Sequence, residues 1–444
     1  MQIYQQTLFE HNPDLLEQLF LSTDLGGLYR VLPLDSIINA IQLPRYEVSG
    51  LGRPSRLTVR GGVCLMVLKH YLGISDEKLL NRMNTDWSMQ YFCGFQLNAG
   101  EQIKDKNLVS TWRTYLGAHL DVKALQYIQA AAYKQHLTQT HICMMDATVF
   151  ESYIAYPTDI KLLWRSCTEV YEWICKISKE QKLRKPRMNF ASQREKYHNH
   201  QKSRKKSRKR EKKLRRTLIK FLLRLLERLD YLQNKYQLRF NPKSLNRLSV
   251  VKEIFNQQQL RLLSLEQKIM DRIVSLHKPY LRPIVRGKEI KPVEFGAKVH
   301  MMQVDGVNFI ERLSYDAFNE SRRLQSSIFM HRKMFGKLRQ LGADQIYATN
   351  ENRKYCTKNG IATSFHPKGK QKFTDQMTIL KKEIGTARST RMEGSFGNEK
   401  NHYALQKIKA RNQTTETAWI MFGVFTANIV AMSKRIKQSK PKAA

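Results

Sequence analysis

The sequence predicts an α/β fold in which one mixed sheet is split by a helical insertion and follows an all-α N-terminal region. Three observations carry this. Residues 1–139 place apolar side chains at helical spacing, with capping signals between the segments. Short apolar runs of strand texture start at Ile142 and resume at Phe295. Residues 168–282, between them, are basic and leucine-periodic, the texture of long helices. The expected organisation is therefore 1–139, helical; 140–432, α/β and interrupted by 168–282; and a basic tail, 433–444.

The elements follow in order. Leu15, Leu16, Leu19 and Phe20 share one face of a helix. Thr58–Tyr71 is apolar enough for a core helix, Gly73 ends it, and Ser75 can N-cap Asp76–Met83. Two helices around such a turn have helix-turn-helix geometry, although most such pairs only pack. A later helix spans Leu108–Leu120. Ile142–Met145, continued by Asp146, Thr148 and Phe150, reads as a buried strand, with Tyr153–Tyr156 as a second in a hairpin.

In the insertion, Leu214, Leu218, Leu222, Leu225, Leu229 and Leu232 mark one helix. Leu248, Val251, Phe255, Leu262, Leu265, Ile269, Ile273 and Leu276 mark another, and Asn241-Pro242 separates the two into an antiparallel pair. Phe295–Val304 and Asn308–Leu313 form a hairpin around Asp305-Gly306. A helix with Arg322, Arg323 and Leu324 comes next. Asp344–Ala348 reads as a strand, Asn350 caps a helix through Lys358, Gly360 stops it, and Ile361–Phe365 is the next strand. A helix starting near Thr390 carries Glu393 and Lys400. Thr417–Ser433 is charge-free over seventeen residues. It falls short of the roughly 20 residues a membrane span needs, and reads as a buried helix.

Charge restricts the partners. The 444 residues carry 77 Lys+Arg against 38 Asp+Glu, a net +39. Residues 181–216 hold 17 Lys/Arg against Glu195 and Glu211, net +15, which leaves +24 on the rest of the chain. A basic arm on an ordinary enzyme would leave a near-neutral body. Here the body is basic too, so the expected partner is a polyanion, nucleic acid first. The run Lys202, Arg204, Lys205, Lys206, Arg208, Lys209 and Arg210 is its densest part and suits backbone phosphates; a solvated face or a localisation signal would look the same. Cys64, Cys93, Cys143, Cys167, Cys175 and Cys356 form no C-x-x-C pair, as expected of free thiols in a reducing cytoplasm. The N-terminal stretch has no basic and apolar leader pattern.

In so basic a chain, acids in apolar settings are the informative residues. Asp146 ends a buried run, on the strand face of Ile142 and Met144, and an ionised carboxylate there needs a cation or hydrogen-bond donors. Asp344 opens a short apolar stretch, and Glu393 lies among Arg391, Phe396 and Lys400. Each has a plain structural reading: a turn cap for Asp146, a loop acid paired with Arg353 for Asp344, and a Thr390–Glu393 capping box. Together they suggest a site where divalent cations reverse the repulsion between carboxylates and a phosphodiester.

Several phrases carry a resemblance. Gly52-Arg53-Pro54, Lys69-His70-Tyr71-Leu72-Gly73-Ile74-Ser75 and Phe92-Cys93-Gly94 come first. Met145-Asp146-Ala147-Thr148, His277-Lys278-Pro279-Tyr280 with its continuation to Arg286-Gly287-Lys288, and Gly296-Ala297-Lys298-Val299-His300 follow. The most specific are Ala343-Asp344-Gln345-Ile346-Tyr347 through Arg353, and Arg391-Met392-Glu393-Gly394-Ser395-Phe396-Gly397-Asn398-Glu399-Lys400. The chain resembles bacterial insertion-sequence transposases of the DDE superfamily over roughly residues 50–430.

The resemblance implies a helical N-terminal DNA-binding domain, 1–139, and an RNase H-like catalytic domain. It implies a catalytic and metal-binding triad of Asp146, Asp344 and Glu393, with Lys400 on DNA phosphate. Two Mg²⁺ ions, with Mn²⁺ as the alternative ion, would activate water for strand cleavage at the element ends, and the freed 3′-hydroxyl would attack target DNA. Thr386 and Ser389 stand where the family often has Tyr and Arg. Asp305 rivals Asp344 but sits in a turn that favours Asp, and Glu399 rivals Glu393 from another face of the helix. The implied partners are double-stranded DNA, as terminal inverted repeats and target, and a second copy or more of the chain on DNA, with no membrane. The implied location is cytoplasmic, on the nucleoid. The alternative is a decayed, non-catalytic nucleic-acid-binding protein.

Overall fold

A computed structural model describes residues 13–41, 56–184, 186–263, 269–285, 292–366 and 375–439. Gly52-Arg53-Pro54, Leu265, Arg286-Gly287-Lys288 and the tail beyond residue 439 lie outside the described residues. The chain forms two compact units: residues up to Tyr153 together with those from Ala297 on, and Ile154–Gly296.

In the first unit the helices are α1 Pro13–Ser22, α2 Asp24–Tyr29, α3 Leu34–Asn39, α4 Val59–Leu72, α5 Asp76–Met83, α6 Trp87–Phe92, α7 Leu108–His119 and α8 Val122–Tyr133. Local chemistry sets their ends. The Thr58 hydroxyl accepts from the Gly61 amide to start α4, Gly73 at φ 63° ends it, and the Ser75 hydroxyl accepts from Lys78 to start α5.

The helices from residues 13–139 do not separate from the rest of the unit as the expected boundary at 139 would require. Their apolar residues share a core with the last helix: Val63, Leu65, Leu68, Trp112 and Leu116 are buried in one cluster with Met421, Phe422, Phe425 and Ile429.

The sheet of this unit has β1 Ile142–Ser152, the part of β3 Val293–Val304 from Ala297 on, β4 Val307–Ser314, β5 Gln340–Gly342, β6 Ala362–Thr363 and β7 Lys407–Ile408; β2 Pro283–Val285 and the start of β3 belong to the second unit. Its strand order is β4-β3-β1-β5-β6. β3 and β4 are antiparallel around Asp305 (φ 49°) and Gly306 (φ 84°), and β5 is parallel to both β1 and β6. Helices α13 Leu324–Phe335, α14 Asn350–Lys358, α15 Asp375–His402 and α16 Gln413–Ser439 complete the unit. Helix α16 is the one helix among the described residues long and apolar enough to cross a membrane, and its apolar stretch is buried inside the unit.

In the second unit, α9 Asp159–Glu180, α10 Phe190–Lys202, α11 Arg208–Tyr236 and α12 Pro242–Leu263 pack around leucines of α11 such as Leu218, Leu222, Leu225 and Leu229. Buried Asp159 accepts from Gln258, Arg261 and Arg272 and pairs with Arg215 at 3.2 Å, so its charge is compensated. β2 pairs antiparallel with the first residues of β3.

Several expectations are corrected. Tyr153–Tyr156 is no strand; β1 instead runs on to Ser152 because Glu151 and Ser152 pair with β7. The insertion is longer than 168–282, since α9 starts at Asp159 with Thr158 as its N-cap. Helix α12 is described as far as Leu263, and Ile269–Leu276 is not helical. Asp344–Ala348 is not a strand: β5 precedes it, and the Asp344 carboxylate accepts from the Gln345 amide to open a 3-10 turn, Gln345–Tyr347. Thr349, not Asn350, caps α14. Thr390 lies inside α15, so it forms no N-terminal capping box with Glu393. Residues 433–439 end α16 rather than forming a separate tail.

Candidate active site

The register of β1 and β5 positions the two aspartates. Met144 lies opposite Gly342 in a parallel pair, and two residues further on come Asp146 and Asp344. Asp146 still lies within β1, whereas Asp344 caps the turn just beyond β5. Side chains alternate along a strand, so Asp146 shares the face of Met144 and Thr148.

Asp146 is largely buried. Its Oδ1 accepts from the Ala147 amide at 2.8 Å, and its Oδ2 accepts from Arg388 Nη1 at 2.8 Å. Burial raises its pKa above the usual carboxylate range; the Ala147 amide and Arg388 pull it down, and the Glu320 and Asp344 carboxylates push it up again. Asp344 and Glu320 thus both lie within electrostatic reach of Asp146.

Buried Tyr347 interacts electrostatically with these carboxylates, and its hydroxyl meets His300 Nε2 at 2.8 Å. His300 Nδ1 lies 3.2 Å from Glu311, which also accepts from Arg323 Nε at 3.1 Å. Burial would raise the Glu311 carboxyl, but His300 and Arg323 hold it below the usual range. Burial, then the Glu320, Asp146, Asp344 and Glu311 carboxylates, keep the Tyr347 phenol protonated, well above its ordinary pKa. A bulge between His300 and Met301 breaks the β3-β4 register at this point. Glu320, in a 3-10 turn Glu320–Arg323, pairs with Lys298 at 2.7 Å.

Helix α15 packs against β1 and β5. Ile384, Met392, Phe396 and Glu399 are buried, and Arg388 reaches Asp146. Lys400 Nζ donates to the Thr148 hydroxyl at 2.9 Å. Glu393 follows Met392 by one residue, about 100° round the helix, and is exposed. It makes no hydrogen bond or ion pair with either aspartate among the described residues. A cavity of about 540 Å³ beside Asp344 is lined by Arg388, Lys381 and Lys382 of the same helix.

Asp305 is tied to its turn, accepting from the Thr138 amide at 2.8 Å and from Arg435 at 2.9 Å. Glu399 faces inward, 2.6 Å from Asn308 Nδ2, and burial raises its pKa to about 7. The tract Lys202, Arg204, Lys205, Lys206, Arg208, Lys209 and Arg210 is exposed, in the second unit. Sequence reasoning missed Glu320, Tyr347, His300 and Arg388's contact with Asp146. Tyr347 was legible as an apolar aromatic three residues after Asp344; nothing in the sequence marks Glu320.

Two family descriptions match the chain. "Transposase DDE domain" covers residues 341–431, and "Transposase domain (DUF772)" covers residues 21–115. Both descriptions are of transposase domains, and together they support an insertion-sequence DDE transposase. The transposase DDE match includes Asp344, Glu393 and Lys400, and Asp146 lies between the two matches. The chain is also similar to "Uncharacterized protein ORF8 in nfe locus" of Rhizobium meliloti, 32% identical over 118 residues. That match covers 25% of this chain and 55% of the relative, so the chain spans about half of that relative's length. No solved structure matches. DNA is the partner that a transposase family implies, and DDE transposases generally use divalent metal ions.

Among the described residues no three His, Cys, Asp or Glu side chains stand together as a complete metal cluster. The donor chemistry nevertheless fits a hard cation. Asp146, within β1, and Asp344, just past the end of β5, present carboxylate oxygens with more negative charge than Arg388 alone offsets.

Proposed function

We propose that the chain is a DNA transposase that cleaves strands at element ends and joins them to target DNA, with Asp146, Asp344 and Glu393 as its carboxylates. The observation that carries this is the placement of Asp146, within β1, and Asp344, just past the end of the neighbouring parallel strand β5, each two residues beyond the Met144–Gly342 pair. The strand order β4-β3-β1-β5-β6, antiparallel then parallel, supports reading the sheet as RNase H-like.

Asp146 and Asp344 would hold Mg²⁺, which when bound neutralises the phosphodiester and lowers the pKa of an attacking water. The rest is the work of this chain's own groups. The protonated Tyr347 phenol, hydrogen-bonded to His300, stands in electrostatic reach of the two carboxylates. Arg388, Lys381 and Lys382 present cations beside Asp344, where a phosphodiester's negative charge would lie. Lys400 lies next along the same β1 face and suits the adjoining phosphate. Glu393, on the helix that carries Arg388, completes the set when α15 or its side chain turns toward the aspartates. Residues 202–210 would hold duplex backbone without reading sequence. Paired inverted-repeat ends call for two copies of the chain.

The test is nicking of supercoiled plasmid in Mg²⁺ by Asp146→Asn and Asp344→Asn variants, with DNA binding measured in parallel. Loss of nicking at unchanged binding is expected. Unchanged nicking removes the tested aspartate from the site. Binding with no nicking even by the unsubstituted chain leaves the decayed, non-catalytic reading.

A further inference from the structure

The first unit holds a second concave site, a cavity of about 760 Å³. It is lined by the end of α4, the start of α5, α7, and the segment from the end of α15 through β7 to α16. At its base Lys69 and Arg113, 3% and 5% exposed, share one carboxylate: Asp76 lies 2.9 Å from Lys69 Nζ and 3.0 Å from Arg113 Nη2. Both cations lie over the Trp419 ring, at 5.1 and 4.5 Å from its centroid. The Arg113 Nε is buried with no hydrogen-bond partner.

At the rim, Lys106, Lys407, Lys409 and Arg411 are exposed and line the same cavity. None of these four has an ion-pair partner among the described residues. Among the described residues Asp76 is the only acid in the lining. Seven cations against one carboxylate give the cavity a positive potential that favours an anionic occupant.

The position says which anion. Lys400 lines this cavity and donates to Thr148. Thr148 stands two residues beyond Asp146 on the same face of β1, about 7 Å along the strand. A compact anion would engage only a few of these cations, whereas a chain of phosphates leading away from Asp146 can meet base and rim in turn. We infer that this cavity takes the phosphodiester backbone of the DNA strand adjoining the cleaved bond. The inference rests on the proposed function for what Asp146 does, and deepens it by assigning a substrate subsite to helices of the N-terminal region together with the β7 segment.

The experiment uses the full chain and a fluorescent duplex oligonucleotide. Binding is measured against salt for the unsubstituted protein and for a Lys407→Gln/Lys409→Gln/Arg411→Gln variant. With three phosphates deprived of their cations, the slope of log K against log salt should flatten by about 2.7, at roughly 0.9 per phosphate. An unchanged slope overturns the inference. Because the variant could misfold, acetylation of Lys407 and Lys409 is also followed by mass spectrometry in the unsubstituted protein. The duplex should protect both several-fold; no protection overturns the subsite, as does equal protection by inorganic phosphate at the same phosphate concentration. Plasmid nicking in Mg²⁺ separates the two readings. Protected lysines without nicking defeat the proposed chemistry and leave the cavity a DNA-binding site, whereas nicking without protection defeats the subsite alone.

Discussion

Met144 on β1 lies opposite Gly342 on β5, and the fit between them is close enough that a side chain on residue 342 has no room. A Cβ there would fall 2.3 Å from Met144 Sδ and 3.2 Å from Ile384 Cγ2. That glycine lets α15 sit down on the two strands carrying the aspartates. Gly342→Ala should destabilise the protein by about 1–3 kcal/mol, the usual cost of overpacking a core. Urea unfolding measures it, and Met144→Ala in the same chain should recover part of the loss. Equal midpoints for Gly342→Ala and the unsubstituted protein would show that the strands simply part.

Arg388 and a divalent cation compete for Asp146. The guanidinium holds Oδ2 at 2.8 Å, with both side chains mostly buried. A hydrogen bond to a charged group contributes about 1.5–3 kcal/mol. Its removal in Arg388→Gln should tighten Mn²⁺ binding about ten- to hundredfold, since 1.4 kcal/mol is a factor of ten. Electron paramagnetic resonance titration of free Mn²⁺ reads this directly, without DNA or turnover. Weaker Mn²⁺ binding in the variant would mean that Arg388 orients the carboxylate for the cation instead of blocking it.

Glu399 makes stability depend on pH. Its folded pKa is raised to about 7 by burial, offset in part by Asn308 and Lys400, against an ordinary 4.5. For an acid with a raised folded pKa, the unfolded chain ionises first as pH rises. The folded state then binds more protons than the unfolded one, and stability falls between about pH 4.5 and 7 before levelling off. The whole effect is on the order of 3 kcal/mol. Glu399→Gln keeps an oxygen for Asn308 Nδ2 and should abolish this part of the slope, gaining stability at pH 8. Chemical denaturation across pH 4–8 measures it; parallel curves for the two proteins would count against a buried, neutral Glu399.

The parts of the fold legible in the sequence are those set by local chemistry. Thr58, Gly73 and Ser75 mark helix ends because their side chains or backbone angles satisfy the end groups on the spot. The Asp305-Gly306 hairpin is local in the same way. What the sequence hid depends on distant partners. β1 runs on to Ser152 because β7, more than 250 residues away, pairs with it. Asp146 and Asp344 were recognisable as acids in apolar settings, and their adjacency follows from strand register. The orientation of Glu393 does not: helical period is readable, but its phase is set by which side chains of α15 face β1 and β5. In the structure Arg388 and Met392 take that face. Glu320 was invisible because it comes to Asp146 through tertiary structure alone.

The exposed tract Lys202–Arg210 gives a last test, independent of the carboxylates. The Ser207 hydroxyl accepts from the Arg210 amide and starts α11, so the basic residues straddle a helix start in the second unit. Cations at a helix N-terminus oppose the helix dipole, a cost of a few tenths of a kcal/mol each at the surface. Phosphates placed there would be attracted by both the side chains and the dipole. Replacing Lys205, Lys206, Arg208 and Lys209 by glutamine should therefore leave the melting temperature equal or slightly raised. It should also flatten the salt slope of duplex binding by up to about 3.6, at roughly 0.9 per phosphate. Measured by fluorescence anisotropy at several salt concentrations, an unaltered slope with an unaltered melt would make the tract a solvated face with no DNA on it.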